Sequence, residues 1–144
     1  TERMHLETIY LMTENGRFVC TDGYGDVTIK KDHADATCKY QAGWGPFGEK
    51  VVIYNPASDR GWAVAPDPAT PHVDGLITAR KSDWTTFDYR IDEKDPTLMT
   101  LSTEDGQYVS RVDIGRPHEY IAADGSSADG ASRFRVIRFA NDAA

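Results

Sequence analysis

Apolar and polar side chains alternate in short runs along the whole chain. This period of two is typical of β-strands, whose successive side chains point to opposite faces of a sheet. The runs are separated by turns rich in Gly, Asn and Asp, which are the residues that tight turns favour. No stretch places apolar residues at the spacing of three and four positions that a helix requires. The pattern therefore predicts an all-β fold of about twelve strands.

Three glycines divide this pattern into units, because Gly16, Gly61 and Gly106 are spaced 45 residues apart. Each glycine follows an apolar strand and a polar turn, and each precedes a second strand. The pairs Asn15-Gly16 and Asp105-Gly106 are strong hairpin signals, since the tight turns of hairpins require positive φ angles. A unit of this length cannot bury its own apolar face, so the spacing predicts three four-stranded units that pack together.

Two further strands complete each predicted unit. The third strand follows a loop rich in Gly, Pro and Asp, and the fourth strand closes the unit. We expect third strands at 26–29, 76–79 and 119–122, and fourth strands at 37–40, 84–89 and 132–137. The predicted core consists of apolar residues that recur in these strands, namely Ile9, Leu11, Phe18, Phe87, Tyr108 and Phe134.

The repeated strings resemble those of the fascin-like branch of the β-trefoils. An apolar strand, a polar turn and Gly-x-aromatic-Val are followed, late in the chain, by Ser132-Arg133-Phe134-Arg135-Val136. The resemblance covers roughly residues 6 to 139 and implies a six-stranded barrel capped by three hairpins. It implies one domain over residues 1–144, with repeats at roughly 6–49, 50–95 and 96–140. The middle repeat departs from the pattern, since Ala63 stands where the others have Phe18 and Tyr108.

The charge balance argues against several classes of partner. Sixteen Lys and Arg residues and twenty-three Asp and Glu residues give a net charge of −7. An acidic chain opposes nucleic-acid binding, which needs a concentrated basic surface to meet the phosphate backbone. No apolar run approaches the roughly 20 residues that a membrane-spanning helix requires, so we expect no membrane insertion. We expect a soluble, monomeric domain that is either cytoplasmic or secreted with its signal already removed.

Two cysteines, Cys20 and Cys38, fall in the first repeat, on its second and fourth predicted strands. The interpretation we favour is two separate buried thiols, because free cysteine is a common core residue. The alternative is a disulfide across the unit. Sugar-binding trefoils of the ricin-like type carry a disulfide over a comparable span, although the cysteine position relative to the repeat glycine differs slightly.

The chain lacks the motifs of an enzyme or a metal protein. The segment Gly43-Trp44-Gly45-Pro46-Phe47-Gly48 has the glycines of a dinucleotide fingerprint but not its strand-to-helix context. The cluster Asp32-His33-Ala34-Asp35 is more typical of a solvated turn than of a metal site. Ser126-Ser127 lacks the Gly-x-Ser-x-Gly elbow of a hydrolase. We therefore expect no catalysis, no metal and no cofactor, with a hydrolase as the minor alternative.

An acidic residue recurs in the loop after the second strand of each repeat. Asp22 and Asp67 are 45 residues apart, and Asp113 lies one residue beyond the next copy. The spacing predicts an acid at nearly the same place in all three units. The structural alternative is that Asp and Gly simply form turns there.

The first copy of this loop is the richest, and it predicts a sugar site. Asp22 and Asp26 flank Tyr24 on a turn with two glycines, and we expect Trp44 to approach it from a later loop. A carboxylate accepts hydroxyl hydrogen bonds, while an aromatic ring covers the C–H face of a pyranose. The predicted ligand-binding residues are Asp22, Tyr24, Asp26 and Trp44, with Asp67 and Asp113 as weaker repeats.

These observations favour a non-catalytic, lectin-like module that binds a glycan or a glycoprotein. The alternative is a protein-interaction module, either a fascin-like actin binder or a protease inhibitor. An inhibitor would present the loop Pro66-Asp67-Pro68-Ala69-Thr70-Pro71, because prolines lower the entropy that a loop loses on binding. Actin binding is disfavoured, since an acidic domain and an acidic partner repel each other.

Overall fold

The computed structural model of the protein describes residues 5–29, 32–45, 48–65, 75–113 and 118–139. Within these ranges the chain forms twelve strands and two short 3₁₀ turns, at Ala36–Cys38 and Gly130–Ser132. The strands are β1 (His5–Met12), β2 (Val19–Thr21), β3 (Val27–Ile29), β4 (Lys39–Trp44), β5 (Lys50–Asn55), β6 (Arg60–Val64), β7 (Ile77–Arg80), β8 (Phe87–Ile91), β9 (Leu98–Ser102), β10 (Tyr108–Val112), β11 (Glu119–Gly125) and β12 (Arg133–Arg138). No helix in the described ranges has the length and apolar character needed to cross a membrane.

Six of these strands close into a barrel. The antiparallel pairs run β1–β4, β4–β5, β5–β8, β8–β9, β9–β12 and β12–β1, which returns to the first strand. Closure leaves the barrel without an unpaired edge. The first and fourth strands of each predicted unit supply these six strands, as a β-trefoil requires. The predicted all-β trefoil with twelve strands is therefore confirmed.

The other six strands form three hairpins that cap one end of the barrel. They pair as β2–β3, β6–β7 and β10–β11. The hairpins also contact one another: the Ala79 amide donates to the Gly25 carbonyl at 3.0 Å, and the Ala123 amide donates to the Gly75 carbonyl at 2.7 Å. In the remaining junction β11 pairs with β3. The three units are thus joined by backbone hydrogen bonds around the cap.

The core lies inside the barrel and beneath the cap. Four of the six predicted core residues are fully buried, namely Ile9, Leu11, Phe87 and Phe134. Phe18 and Tyr108 are only half-buried, so their placement in the core was wrong. Side chains alternate along a strand, and the inward positions belong to the next residues, Val19 and Val109, which are fully buried.

Aligning the units by the 45-residue spacing of their glycines places the middle unit two residues out of register. Gly16 and Gly106 adopt left-handed φ angles of 77° and 86° in the turns between the first two strands of their units. In the middle unit that position is taken by Asp59, at φ 55°, because this turn is one residue longer. Gly61 instead lies within β6 and pairs with Tyr54.

Gly61 is therefore the counterpart of Phe18 and Tyr108, which pair with the ends of the preceding strands in the same way. Ala63, which the sequence pattern aligned with those aromatics, lies two residues further along and is buried. The middle unit thus has no side chain at a position where the other two units carry an aromatic ring.

The two cysteines form a disulfide, so the expectation of separate thiols was wrong. Cys38 does not lie on the fourth strand but in the 3₁₀ turn just before β4, where the Asp35 side chain caps the turn by accepting a hydrogen bond from the Thr37 amide at 2.9 Å. This turn packs against β2 and brings Cys38 to Cys20, with Cα atoms 4.0 Å apart. Both residues are fully buried. The bridge ties the first hairpin to the start of a barrel strand.

Candidate functional site

The turn between β2 and β3 holds three of the predicted site residues together. The Asp22 amide donates to the Asp26 carbonyl at 3.0 Å, and Asp22 Oδ1 accepts hydrogen bonds from the Tyr24 and Asp26 amides at 2.8 and 3.0 Å. Gly25 takes a left-handed φ of 96° in the same turn. Asp22 therefore fixes the backbone of the turn. A carboxylate has about four acceptor sites, so it retains capacity to accept hydrogen bonds from a ligand.

Tyr24 stands at the tip of this turn and is almost completely exposed, at 92%. An exposed ring of this kind contributes little to the core, since most of the surface it could bury stays in water. The half-buried Asp22 and the exposed Asp26 lie on either side of it in the chain. The turn thus presents an aromatic ring and acidic groups to solvent from a hydrogen-bonded backbone.

Trp44 lies far from this turn, so the expected approach of a Trp44 loop was wrong. Strand β1 enters the cap at Met12, so His5 marks the opposite end of the barrel. Trp44 is the last residue of β4 and pairs with His5. It is buried, with 8% exposed, because it shares the inward register of Tyr40 and Ala42.

Trp44 belongs instead to a polar cluster at the end of the barrel opposite the cap. Its indole Nε1 donates to Glu7 Oε1 at 3.0 Å, and Arg138 donates to the same oxygen. The Arg138 guanidinium carbon lies 6.0 Å from the Trp44 ring centroid, and Tyr89 packs edge-on against that ring at 4.7 Å. A shallow cavity of about 310 Å³ lies beside these residues. The Glu7 carboxylate thus accepts hydrogen bonds from both donors, so these polar groups are partners for one another.

The position of Asp22 is not acidic in the other two units. In the middle unit the counterpart of Asp22 is Ala65, whose amide donates to the Leu76 carbonyl just as Asp22 donates to Asp26. In the third unit the counterpart is Val112, which pairs with Tyr120, and Asp113 is the next residue. Asp67 lies outside the described residues, as does the proline-rich loop 66–71. The described part of the trefoil therefore carries this acid only in the first unit.

A second exposed aromatic group lies in the middle unit, and the sequence analysis missed it. The rings of Tyr54 and Trp84 have centroids 5.0 Å apart and are tilted by 34°. The Tyr54 hydroxyl donates to Asp59 Oδ1 at 2.7 Å, and Trp84 Nε1 donates to the Arg80 carbonyl at 2.7 Å. Trp84 is 37% exposed. We refer to Tyr54, Asp59 and Trp84 as the second-unit aromatic surface.

This surface depends on the missing side chain at Gly61. A methyl group there would lie 2.5 to 2.7 Å from atoms of the Trp84 ring, which is closer than any real contact. The indole thus covers the strand where a side chain would otherwise stand. A signal for this existed in the sequence, because a glycine within an otherwise regular strand marks a close approach by another group.

The electrostatics of the second-unit aromatic surface centre on Tyr54. Hydrogen bonding to Asp59, with smaller contributions from desolvation and the nearby charge, raises the pKa of the Tyr54 hydroxyl above its ordinary value. Asp32 and His33 are exposed, with Oδ1 and Nδ1 3.6 Å apart. Among the described residues no three His, Cys, Asp or Glu side chains converge as metal ligands do. The residues of the two candidate surfaces supply hydrogen-bonding groups and aromatic faces.

Comparison with known proteins identifies the fold. The sequence matches no protein-family model and no curated protein. A ricin B-like lectin of Macrolepiota procera, solved in complex with lactose, superposes with a TM-score of 0.70 at 12% identity, over 92% of this chain and 96% of that one. A Caenorhabditis elegans protein of unknown function superposes with a TM-score of 0.73 at 15% identity, over 94% and 95%. The chain shares the β-trefoil fold with a ricin B-like lectin.

Proposed function

We propose that this domain is a non-catalytic, lectin-like module that recognises carbohydrate through the turn between β2 and β3. The observation that carries the proposal is Tyr24, an aromatic ring that is 92% exposed on a turn fixed by Asp22. An exposed ring beside acids suits a sugar, because the ring can pack on C–H groups while the acids accept hydrogen bonds from hydroxyl groups. Asp26 completes the site, and Asp113, which does not occupy the position equivalent to Asp22, is a separate and weaker contact in the third unit.

The chemistry of a pyranose fits this arrangement. One face of the sugar ring carries C–H groups that pack against an aromatic ring, while its hydroxyl groups donate to carboxylates. The contact is shallow, so we expect weak affinity for a single sugar and stronger binding to a ligand that makes several contacts. A glycan or glycoprotein is the expected partner.

Two further points support a binding rather than a catalytic role. The Macrolepiota procera lectin with this fold was solved with lactose bound, which is an example of sugar recognition on the same framework. Asp22 already accepts two backbone hydrogen bonds, which suits a fixed acceptor better than a group that must exchange protons. Assignment to the fascin-like branch and a monomeric state are part of the same proposal.

The test is a glycan-array screen of the purified protein at micromolar concentration, with Tyr24→Ala beside it. We expect selective signals that Tyr24→Ala weakens strongly, because the variant removes the ring that packs on the sugar. Tyr24→Phe is the matched control, since it keeps the ring and loses only the hydroxyl, and it should retain most of the signal. Asp22→Ala is a less specific variant, because it also removes two hydrogen bonds of the turn.

Unchanged binding in Tyr24→Ala would contradict the placement of the site, and silence of the wild-type protein across the array would contradict the ligand class. In the second case a protein partner, such as a protease or actin, becomes the next candidate. The proline-rich loop on which the inhibitor hypothesis rests lies outside the described residues, so the structure provides no observation in its favour.

A further inference from the structure

We propose that the second-unit aromatic surface is a second carbohydrate contact, at which Trp84 packs against the C–H face of a pyranose within an oligosaccharide. The inference rests on the proposed function for the class of ligand. It rests on different residues for the site, because Tyr54, Asp59 and Trp84 belong to the middle unit, whereas the turn of Tyr24 belongs to the first.

The Trp84 ring comes from a different part of its unit than the rings at the same place in the other two units. In the first and third units the corresponding position is filled by Phe18, directly before β2, and by Tyr108, the first residue of β10. In the middle unit the strand has Gly61, and the ring comes from the loop before β8. A strand side chain is enough to cover this position, as the other two units show. The indole from the loop covers the same position and leaves 37% of Trp84 exposed to solvent.

Two residues at or next to this surface adopt a left-handed backbone conformation. Asp59 and Asp83 are the two non-glycine residues of the described ranges with positive φ, at 55° and 59°. Asp59 belongs to the surface, and Asp83 immediately precedes Trp84. Asp59 takes the turn conformation that Gly16 and Gly106 have in the other two units, whereas Asp83 lies in the loop that carries Trp84.

The surface also offers hydrogen-bonding groups in fixed positions. Trp84 Nε1 is held by the Arg80 carbonyl at 2.7 Å, which fixes the ring, and the Tyr54 hydroxyl is held by Asp59 at 2.7 Å. Asp59 keeps further acceptor capacity, since a carboxylate has about four acceptor sites. A ring beside a carboxylate is the same pairing that the turn of Tyr24 presents, although the residues are unrelated by the threefold repeat.

The two surfaces are connected through strand β7. Gly25, in the turn of Tyr24, accepts a hydrogen bond from Ala79, and Trp84 donates to the carbonyl of the next residue, Arg80. Consecutive residues of one strand therefore hydrogen-bond to the turn that carries Tyr24 and to the Trp84 indole. This proximity favours an oligosaccharide of several residues over a single sugar as the ligand.

The proposal is tested by titrating the isotope-labelled protein with cellohexaose, chitohexaose and lacto-N-tetraose, and following the indole N–H signals of its tryptophans by NMR. We expect at least one oligosaccharide to shift the Trp84 signal in a saturable way, with the signal of the fully buried Trp62 as an internal control. For that ligand, Trp84→Ala should weaken binding roughly fivefold to tenfold, which corresponds to the usual contribution of one aromatic contact.

Two further variants distinguish a loss of binding from a loss of folding. Gly61→Ala displaces the indole without removing it, so it should weaken binding to a similar extent. Trp84→Phe keeps a ring and should bind more tightly than Trp84→Ala, and thermal melts of all variants establish that they are folded. Tyr24→Ala leaves this surface intact and should not prevent the shift of the Trp84 signal.

The outcomes separate this inference from the proposed function. Loss of binding in Tyr24→Ala, together with affinity within twofold of wild type in Trp84→Ala, overturns the second contact and leaves the first. Loss in Trp84→Ala with normal binding in Tyr24→Ala supports the second contact and overturns the first. A Trp84 signal that none of the oligosaccharides shifts overturns the inference.

Discussion

Reduction of the Cys20–Cys38 disulfide should destabilise the protein by a predictable amount. The bridge joins residues with a sequence separation of 18, and it links the first hairpin to the turn before β4. In the chain-entropy model, a crosslink over a loop of this length restricts the unfolded chain and stabilises the fold by about 3 kcal/mol. For a domain of this size, that loss corresponds to a fall in Tm of roughly 10 °C.

The assay is urea unfolding followed by tryptophan fluorescence, with and without a reducing agent. We expect the midpoint to fall on reduction, and the variant Cys20→Ala/Cys38→Ala should be destabilised and insensitive to the reducing agent. Both cysteines are fully buried, so the variant also loses some packing and should be the least stable of the three forms.

Two results would refute this reasoning. Two reactive thiols in the denatured, unreduced protein would show that the bridge does not form. An unchanged midpoint on complete reduction would show that the bridge forms but does not stabilise the fold.

Two further predictions concern the cap and the core. Gly75→Ala should destabilise the protein by about 2 kcal/mol or more, because a methyl group would lie 2.3 Å from the Ala123 carbonyl oxygen and Gly75 has a φ of 73°. Urea unfolding measures this loss. A loss below about 0.5 kcal/mol would contradict close packing of Gly75 against Ala123. Burial raises the pKa of Tyr40 well above its ordinary value, although its hydrogen bond with Thr21 opposes the shift. The folded state therefore favours the neutral phenol, so stability is retained below about pH 10 and falls above it by about 1.4 kcal/mol per pH unit. Tyr40→Phe should flatten this alkaline loss in urea unfolding at several pH values, and an equally steep fall in the variant would show that other groups cause it.

The fold was predictable because its signals are local. Alternating side chains marked the strands, and the pairs Asn15-Gly16 and Asp105-Gly106 marked two tight turns, each of which is set by residues adjacent in sequence. The middle unit was misaligned because its turn has an extra residue and Asp59 adopts the left-handed conformation that glycine has elsewhere. Aspartate tolerates this conformation better than most residues, so a spacing based on glycine alone missed the shift.

The site was harder to predict because it depends on contacts between distant segments. The sequence placed Tyr24 on an exposed turn, and the structure agrees. It also placed Trp44 nearby, but the inward register of β4 and the pairing with His5 bring Trp44 to the other end of the barrel. The position of the Trp84 ring over Gly61 depends on a contact between a loop and a strand that are distant in sequence. Periodicity shows which side of a strand a residue faces, but not which distant loop covers it.

The most direct test of the account is a glycan array that compares the wild-type protein with the double variant Tyr24→Ala/Trp84→Ala. Both changed side chains are exposed or partly exposed, so the double variant should remain folded, and circular dichroism checks this. We expect selective signals for the wild type that disappear in the double variant. Equal signals from both proteins, or no signal from the wild type, would contradict carbohydrate recognition through these surfaces.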